Sequence, residues 1–281
     1  MTVTISKDRP LVLVGAGKMG GAMLEGWLSS GLPEGAVHVI DPGLDQAQQA
    51  DLRSRGVVVH TEPDAVPTPL LLMLAIKPQM MATVLPSLSS FSKRADAADM
   101  MVLSIAAGTT IATLSSAFGP NASVIRAMPN TPALVGRGVT ALYPASKLSH
   151  GQKAFVAELL AAIGIVVWVD SEAAIDAVTA VSGSGPAYIF HMVEALAAAA
   201  EKQGLPADVA MILARETVTG SGELLHLSDE LAETLRKNVT SPNGTTAAGL
   251  DVLMAPDGLS SLMEATVKAA HVRAIELGKE V

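Results

Sequence analysis

The residues best suited to chemistry lie near the N-terminus. Leu11-Val-Leu-Val-Gly15-Ala16-Gly17-Lys18-Met19-Gly20 supplies Gly-x-Gly-x-x-Gly after an apolar run and ahead of the helical pattern Gly21–Leu28. In that spacing Gly15 makes the tight turn, Gly17 lets backbone approach a pyrophosphate, and Gly20 allows close helix–strand packing. Free N–H groups at the helix start then face the anion. The motif alone could be a structural turn, so its context matters. Asp41 closes the next apolar run, Val37–Ile40, where a carboxylate accepts hydrogen bonds from an adenosine ribose. Its plainer reading is a turn residue ahead of Pro42-Gly43. A carboxylate there repels a 2′-phosphate and no arginine follows before Arg53, so the constellation leans toward NAD over NADP.

Two further segments stand at expected C-terminal strand ends, where ligands lie in an open α/β sheet: Ala75-Ile76-Lys77-Pro78 and Ala106-Ala107-Gly108. Small residues admit a cofactor against backbone, and Lys77 offers a cation; without that context both are ordinary strand ends. Polar side chains concentrate in Pro129-Asn130-Thr131-Pro132 and in Val239-Thr240-Ser241-Pro242-Asn243-Gly244-Thr245-Thr246. The second is a hydroxyl-rich loop feeding a helix, able to grip a small carboxylate by capping geometry or to serve as a plain N-cap. Thiol nucleophiles and thiolate metal sites are excluded because the chain has no cysteine. His38, His60, His150, His191, His226 and His271 lack metal-ligand spacing, so no metal is expected. Gly183-Ser184-Gly185 follows no strand and leads into Pro186, which reads as a tight inter-domain turn rather than a nucleophile elbow. Hydride transfer needs little acid–base machinery from a protein, because the cofactor carries the difficult chemistry.

These residues need an α/β scaffold to position them. Strand-like runs at Leu11–Val14, Val37–Ile40, Val57–Val59, Leu70–Ile76, Met101–Ile105, Ser123–Ala127, Val139–Leu142 and Ile165–Val169 alternate with helical segments. Continuous apolar character suits strands covered on both faces of a largely parallel sheet. Past Ser171 the strand signal stops, and Ala174–Ser182, Pro186–Gln203, Pro206–Leu225, Asp229–Asn238 and Leu259–Leu277 read as helices. The expected organisation is an N-terminal Rossmann-type dinucleotide-binding domain over residues 1–170 and an all-α substrate-binding and dimerisation domain over 171–281. Pro186–Ala200 is apolar nearly all round, which predicts packing against a second subunit; the central helix of a monomeric bundle would show the same composition.

Composition bounds the partners. The 281 residues are 49% hydrophobic and 16% charged, the make-up of a packed globular chain. A formal net charge of -8 supplies no electrostatic footprint for nucleic acid or an anionic membrane. No apolar run reaches spanning length, and Met1 to Pro10 lacks an export signal, so a soluble cytoplasmic protein is expected.

The chain resembles the pyrroline-5-carboxylate reductase family. The likeness rests on Gly15–Gly21, Ala75–Pro78, Asp176-Ala-Val-Thr-Ala-Val-Ser-Gly-Ser-Gly-Pro-Ala-Tyr188 and Leu235-Arg-Lys-Asn-Val-Thr-Ser-Pro-Asn-Gly-Thr-Thr246, in family order. The resemblance implies reduction of a cyclic imino acid to L-proline by NADPH or NADH, in a homo-oligomer built from helix-exchanged dimers. It also implies that Thr246 meets the ring nitrogen while Ser241, Gly244 and Thr245 hold the carboxylate, with Asn130 and Ser182 lining the pocket. Asn243 departs from the family's usual second glycine, a position demanding a left-handed backbone that asparagine tolerates. Asp41 departs from the polar or basic residues many relatives place near a 2′-phosphate, and the family's acidic residue upstream of the loop falls on Asp229 or Glu230 without assignment. A β-hydroxyacid or imine dehydrogenase of similar build would carry a catalytic lysine on the first helix of the second domain. Here Lys202 lies at the far end of that helix. A dinucleotide sensor without turnover would not need the hydroxyl loop at 241–246.

Overall fold

The computed structural model describes residues 4–280. Among them, eight strands form one sheet: β1 (Leu11–Val14), β2 (Val37–Ile40), β3 (Val58–His60), β4 (Leu71–Leu74), β5 (Met101–Ser104), β6 (Ser123–Met128), β7 (Gly138–Pro144) and β8 (Gly164–Trp168). Their order is β3-β2-β1-β4-β5-β6-β7-β8, parallel throughout except where β7 runs against β6. The link Pro129–Arg137 is too short for a crossover helix, which forces that one antiparallel pair. The helices are α1 (Lys18–Ser29), α2 (Gln46–Ser54), α3 (Met81–Leu88), α4 (Ile111–Phe118), α5 (His150–Ala161), α6 (Glu172–Val178), α7 (Gly185–Lys202), α8 (Ala207–Leu227), α9 (Ala232–Asn238), α10 (Thr245–Leu253) and α11 (Leu259–Glu280).

The period of two along each strand splits the core between the faces of the sheet. Leu11, Leu13, Val37, Val39, Leu71 and Met73 pack with Met23 and Trp27 of α1 and Leu160 of α5. Val12, Val14, Leu72, Leu74 and Val102 pack with Met81 and Leu85 of α3 and Leu114 of α4. Each fully buried side chain of this size contributes roughly 1.5–3 kcal/mol, and the Trp27 indole N–H also donates to the Leu159 carbonyl at 2.9 Å. Among the described residues, no helix is long and apolar enough to cross a membrane.

Contacts divide the chain later than residue 170, and the end of the last helix, from Ala270 on, groups with the first unit. The first unit comprises residues 1–183 and 270–281, and the second 184–269. A buried charge explains the shift. Arg126 on β6 is 3% exposed and reaches Asp176 at 2.8 Å and Glu172 at 3.2 Å, both on α6, while Glu172 also accepts from the Ile111 N–H at 2.8 Å. A desolvated guanidinium without these carboxylates would be strongly destabilising, so α6 stays on the sheet. Nor does Gly183-Ser184-Gly185 form the expected tight turn. Thr179–Gly183 is π-helical and Ser184 keeps a right-handed helical backbone at φ -85, ψ -22, leading on into α7.

In the second unit, Ala197 of α7 meets the antiparallel α8, where Ala210 and Ala214 are also buried. Larger apolar groups stay open, including Phe190 (64% exposed), Ile212 (60%) and Leu262 (63%). The expectation of α7 buried all round therefore fails within one chain, and with it the monomeric-bundle reading. A few buried alanines cannot offset the roughly 1–2 kcal/mol per residue of backbone entropy lost on folding. A partner surface must cover these helices.

The His38 ring on β2 and the His60 ring on β3 stack with centroids 5.1 Å apart and share a 3.0 Å Nδ1···Nε2 hydrogen bond. Burial lowers the His38 pKa and a charge on His60 lowers it further, against a Gly35 backbone hydrogen bond that raises it. Burial and then the Arg53 charge lower that of His60.

Two outcomes are expected. Below about pH 6.5 the unfolded imidazoles take up protons that the folded pair refuses, so stability falls with pH from there until the lower folded values are passed. Melting temperature should drop between pH 8 and pH 5.5, above the range where carboxylates titrate, and His60→Gln should reduce that drop; equal slopes would remove the pair's role. Sedimentation should show a dimer or larger assembly, with helical circular dichroism lost on dilution as subunits separate. A folded monomer would contradict this.

Candidate active site

The glycine loop joins β1 to α1 at the point where the strand order reverses between β2 and β4, the usual crevice for a ligand in such sheets. Gly15 takes φ +90, and a Cβ there would lie 2.8 Å from the Ala75 carbonyl oxygen. A Cβ on Gly20 would overlap the Gly15 carbonyl oxygen and press on the Ala75 side chain. A Cβ on Gly17 would meet nothing within 4 Å, so this side of the loop is open. The first bond of α1 runs from the Gly21 N–H to the Gly17 carbonyl at 2.7 Å, leaving the amides of Lys18, Met19 and Gly20 without a partner inside the helix. Gly17 caps this end with no side chain, and the first turn holds no acidic residue. An open backbone cradle with unpaired donors fits a pyrophosphate.

Asp41 follows β2 and does more than either sequence reading supposed. Its Oδ2 accepts from the Ala16 N–H and its Oδ1 from the Gly43 N–H, both at 2.8 Å. The second bond is the turn geometry of the plainer reading, while the first ties the carboxylate to the glycine loop. A cavity of about 530 Å3 opens here, lined by Gly15, Gly17, Asp41, Ala75, Ile76 and Lys77 together with Glu62, Met80 and Thr83. Pro78 and Ala107 line a second cavity of about 340 Å3 with Gln79, Thr113 and Leu277. Ala106 is buried, and Gly108, at φ +76, packs beneath the Leu277 carbonyl. The β5 end thus contributes Ala107 to a separate hollow, and Gly108 to the seat of α11.

The remaining candidates are spread over both units. Asn130 accepts from the Val139 N–H at 2.9 Å and is 9% exposed, positioning the turn between β6 and β7. Ser182 lies in the π-helical segment and donates to the Val178 carbonyl at 3.2 Å. In the second unit, Ser241 to Thr246 form the entry to α10. Asn243 is the one non-glycine residue at positive φ (57) among the described residues, as its place in the loop predicts. Gly244 is the N-cap of α10, and its N–H donates to the Ser241 carbonyl at 3.1 Å. The first α10 bond runs from Ala248 to Gly244, so Thr245, Thr246 and Ala247 carry the amides with no partner inside the helix. Thr245 and Thr246 are both exposed.

Sequence reasoning missed the Asp41 bond to Ala16, the Arg126 cluster and Glu62. Two had readable signals. An arginine within the apolar run of β6 demands buried carboxylates, and Glu62 is an acidic residue two positions past β3 on the strand-end side of the sheet. The loop bond, set by a torsion of one turn, had none.

Comparison with known proteins bears on the whole chain. The family model described as pyrroline-5-carboxylate reductase dimerisation matches residues 172–277, and that described as NADP oxidoreductase coenzyme F420-dependent matches residues 10–108. The pyrroline-5-carboxylate reductase of Pseudomonas aeruginosa is 37% identical over 271 residues, covering 96% of this chain and 97% of its own. The solved pyrroline-5-carboxylate reductase of Coxiella burnetii is 31% identical, with a TM-score of 0.86 over 96% of this chain and 98% of that one. The Plasmodium falciparum pyrroline carboxylate reductase, solved with NADP bound, is 25% identical, with a TM-score of 0.77 over 97% and 99%. Similarity at this level along nearly the full length, carried by both units, means that the chain belongs to the pyrroline-5-carboxylate reductase family.

Proposed function

We propose that this chain reduces the C=N bond of 1-pyrroline-5-carboxylate to give L-proline, the last step of proline biosynthesis, in the cytoplasm, where a cysteine-free chain fits the reducing environment. The carrying observation is family membership along the full length, joined to two helix starts that each expose unpaired amides: α1 after Gly17 and α10 after Gly244. A nicotinamide dinucleotide, NADPH or NADH, supplies the hydride. The loop Gly15, Ala16 and Gly17 cradles its pyrophosphate, the Lys18, Met19 and Gly20 amides donate to it, and Asp41, Ala75, Ile76 and Lys77 wall its cavity.

The Thr245 and Thr246 amides take the substrate carboxylate, with the Ser241 hydroxyl beside them. The Thr246 hydroxyl hydrogen-bonds the ring nitrogen, which must gain a proton as its carbon accepts hydride. A protonated C=N is the better hydride acceptor, so holding the nitrogen in a hydrogen bond favours reaction. Asn130 and Ser182 are proposed as outer lining, Asn130 acting through the β6–β7 turn it fixes and Ser182 from the π-helical segment. The assembly is a homo-oligomer of helix-exchanged dimers, a reading supported by the apolar groups left open on α7 and α8 and by the dimerisation match.

Oxidation of NADPH or NADH followed at 340 nm with pyrroline-5-carboxylate tests the activity directly; no turnover with either cofactor would refute it. Thr246→Ala removes one positioned hydrogen bond, about 1–3 kcal/mol, and should lower kcat/KM roughly five- to hundredfold. An unchanged value would end the role given to Thr246.

A further inference from the structure

We propose that Asp41 and Glu62 together make the cavity selective for the dinucleotide whose adenosine ribose carries a free 2′-hydroxyl, so that NADH rather than NADPH is the cofactor. The inference rests on the dinucleotide site proposed above and deepens it.

The argument begins with where the charges stand. β2 and β3 end side by side, tied by the Asp41 N–H donating to the His60 carbonyl at 3.1 Å. Asp41, the residue after β2, and Glu62, the second residue after β3, line one cavity. Its lining contains one cation, Lys77, which follows β4. The order β3-β2-β1-β4 puts β1 between β4 and the two acidic strand ends, so Lys77 and Asp41 belong to strands roughly 10 Å apart. The end of the cavity beyond β2 and β3 therefore carries two carboxylates, and no arginine or lysine lines it.

Mobility is the second point. A lone surface aspartate can swing aside and leave room for a phosphate. Asp41 is held at both oxygens, by Ala16 and by Gly43, each at 2.8 Å. Turning it away would break two charge-assisted bonds and release the amide that orders the glycine loop. Each carboxylate oxygen retains a further acceptor position, suited to the O–H donors of a vicinal diol. A phosphomonoester offers acceptors and about two negative charges instead. Next to a fixed carboxylate it would gain no hydrogen bond and meet like charge.

Asp41 thus has two separable effects: as a positioning residue it fixes the loop through Ala16, and as a charge it discriminates between cofactors. Glu62 enters the argument by its charge, as a second carboxylate lining the same cavity.

The test is direct titration of the purified full-length protein with NADH and with NADPH, without imino acid, read by nicotinamide fluorescence. NADH is expected to bind at least tenfold more tightly, and the ratio should shrink as salt rises from about 0.05 to about 0.5 M, because like-charge repulsion is screened. Glu62→Gln should tighten NADPH binding more than NADH binding. Asp41→Asn should move the ratio the same way while weakening NADH, since an amide nitrogen cannot accept from a backbone N–H. Equal or tighter binding of NADPH by the wild-type protein overturns the proposal, as does a ratio unmoved by both substitutions. Preferential NADH binding without turnover of pyrroline-5-carboxylate would uphold this inference and sink the substrate assignment, so the two failures are distinguishable.

Discussion

The Gly15 carbonyl oxygen occupies the space that a side chain at position 20 would need, and the Ala75 carbonyl occupies the space that one at position 15 would need. This three-way approach of loop, helix start and the end of β4 is the constraint on which the rest of the first unit depends. It brings the start of α1 down onto the sheet at the strand-order reversal, so its unpaired amides point to where the strand ends diverge. Once that contact is made, Ala75 must be small, and β4 must end at Leu74 so that Ala75, Ile76 and Lys77 can turn along the cavity. The run Leu70–Ile76 looked longer in the sequence because the wall of the cavity is as apolar as the strand that feeds it.

What was legible in the sequence follows the strength of its physical cause. All eight strands were readable, the central β1, β4 and β5 most directly, because strands covered on both faces must be short and almost continuously apolar. The helices of the second unit were readable from proline and glycine punctuation, as at Gly204, whose φ of +93 ends the α7 turn. Side-chain-to-backbone bonds over many residues were not legible. Nothing in composition links Asp41 to Ala16, and nothing local separates a tight turn at Gly183-Ser184-Gly185 from a π-helical run that leads on into α7. The hydroxyls of Thr179 and Ser182 bond back to the carbonyls of Ile175 and Val178, which lets the wider helix keep its polar groups satisfied.

The second unit inverts the usual relation between fold and surface. In the first, large apolar residues fill two closed layers; in the second, the buried side chains are alanines, and leucines, isoleucines and phenylalanine remain open. Alanine at the α7–α8 seam permits close approach of two helices at little cost in side-chain entropy, but contributes little apolar area. The sequence keeps its larger residues for faces that one chain cannot cover. That distribution agrees with the dimerisation family model matched over residues 172–277.

Each unit has a helix start of the same kind, and the N-cap residue marks it. Glu172, Asp208 and Glu233 sit in the first turns of α6, α8 and α9, where they satisfy the positive end of each helix. The first turns of α1 and α10, like those of α2 to α5 and α7, hold no acidic residue, but of these helices α1 and α10 are the two whose N-cap is a glycine. A helix start left without its own anion is suited to one from outside, and a small N-cap leaves that anion room to approach. The reaction proposed here has two anionic partners, a pyrophosphate and a carboxylate. The chain provides two such starts, one in each unit; under that proposal positioning falls to backbone amides, which neither titrate nor swing away.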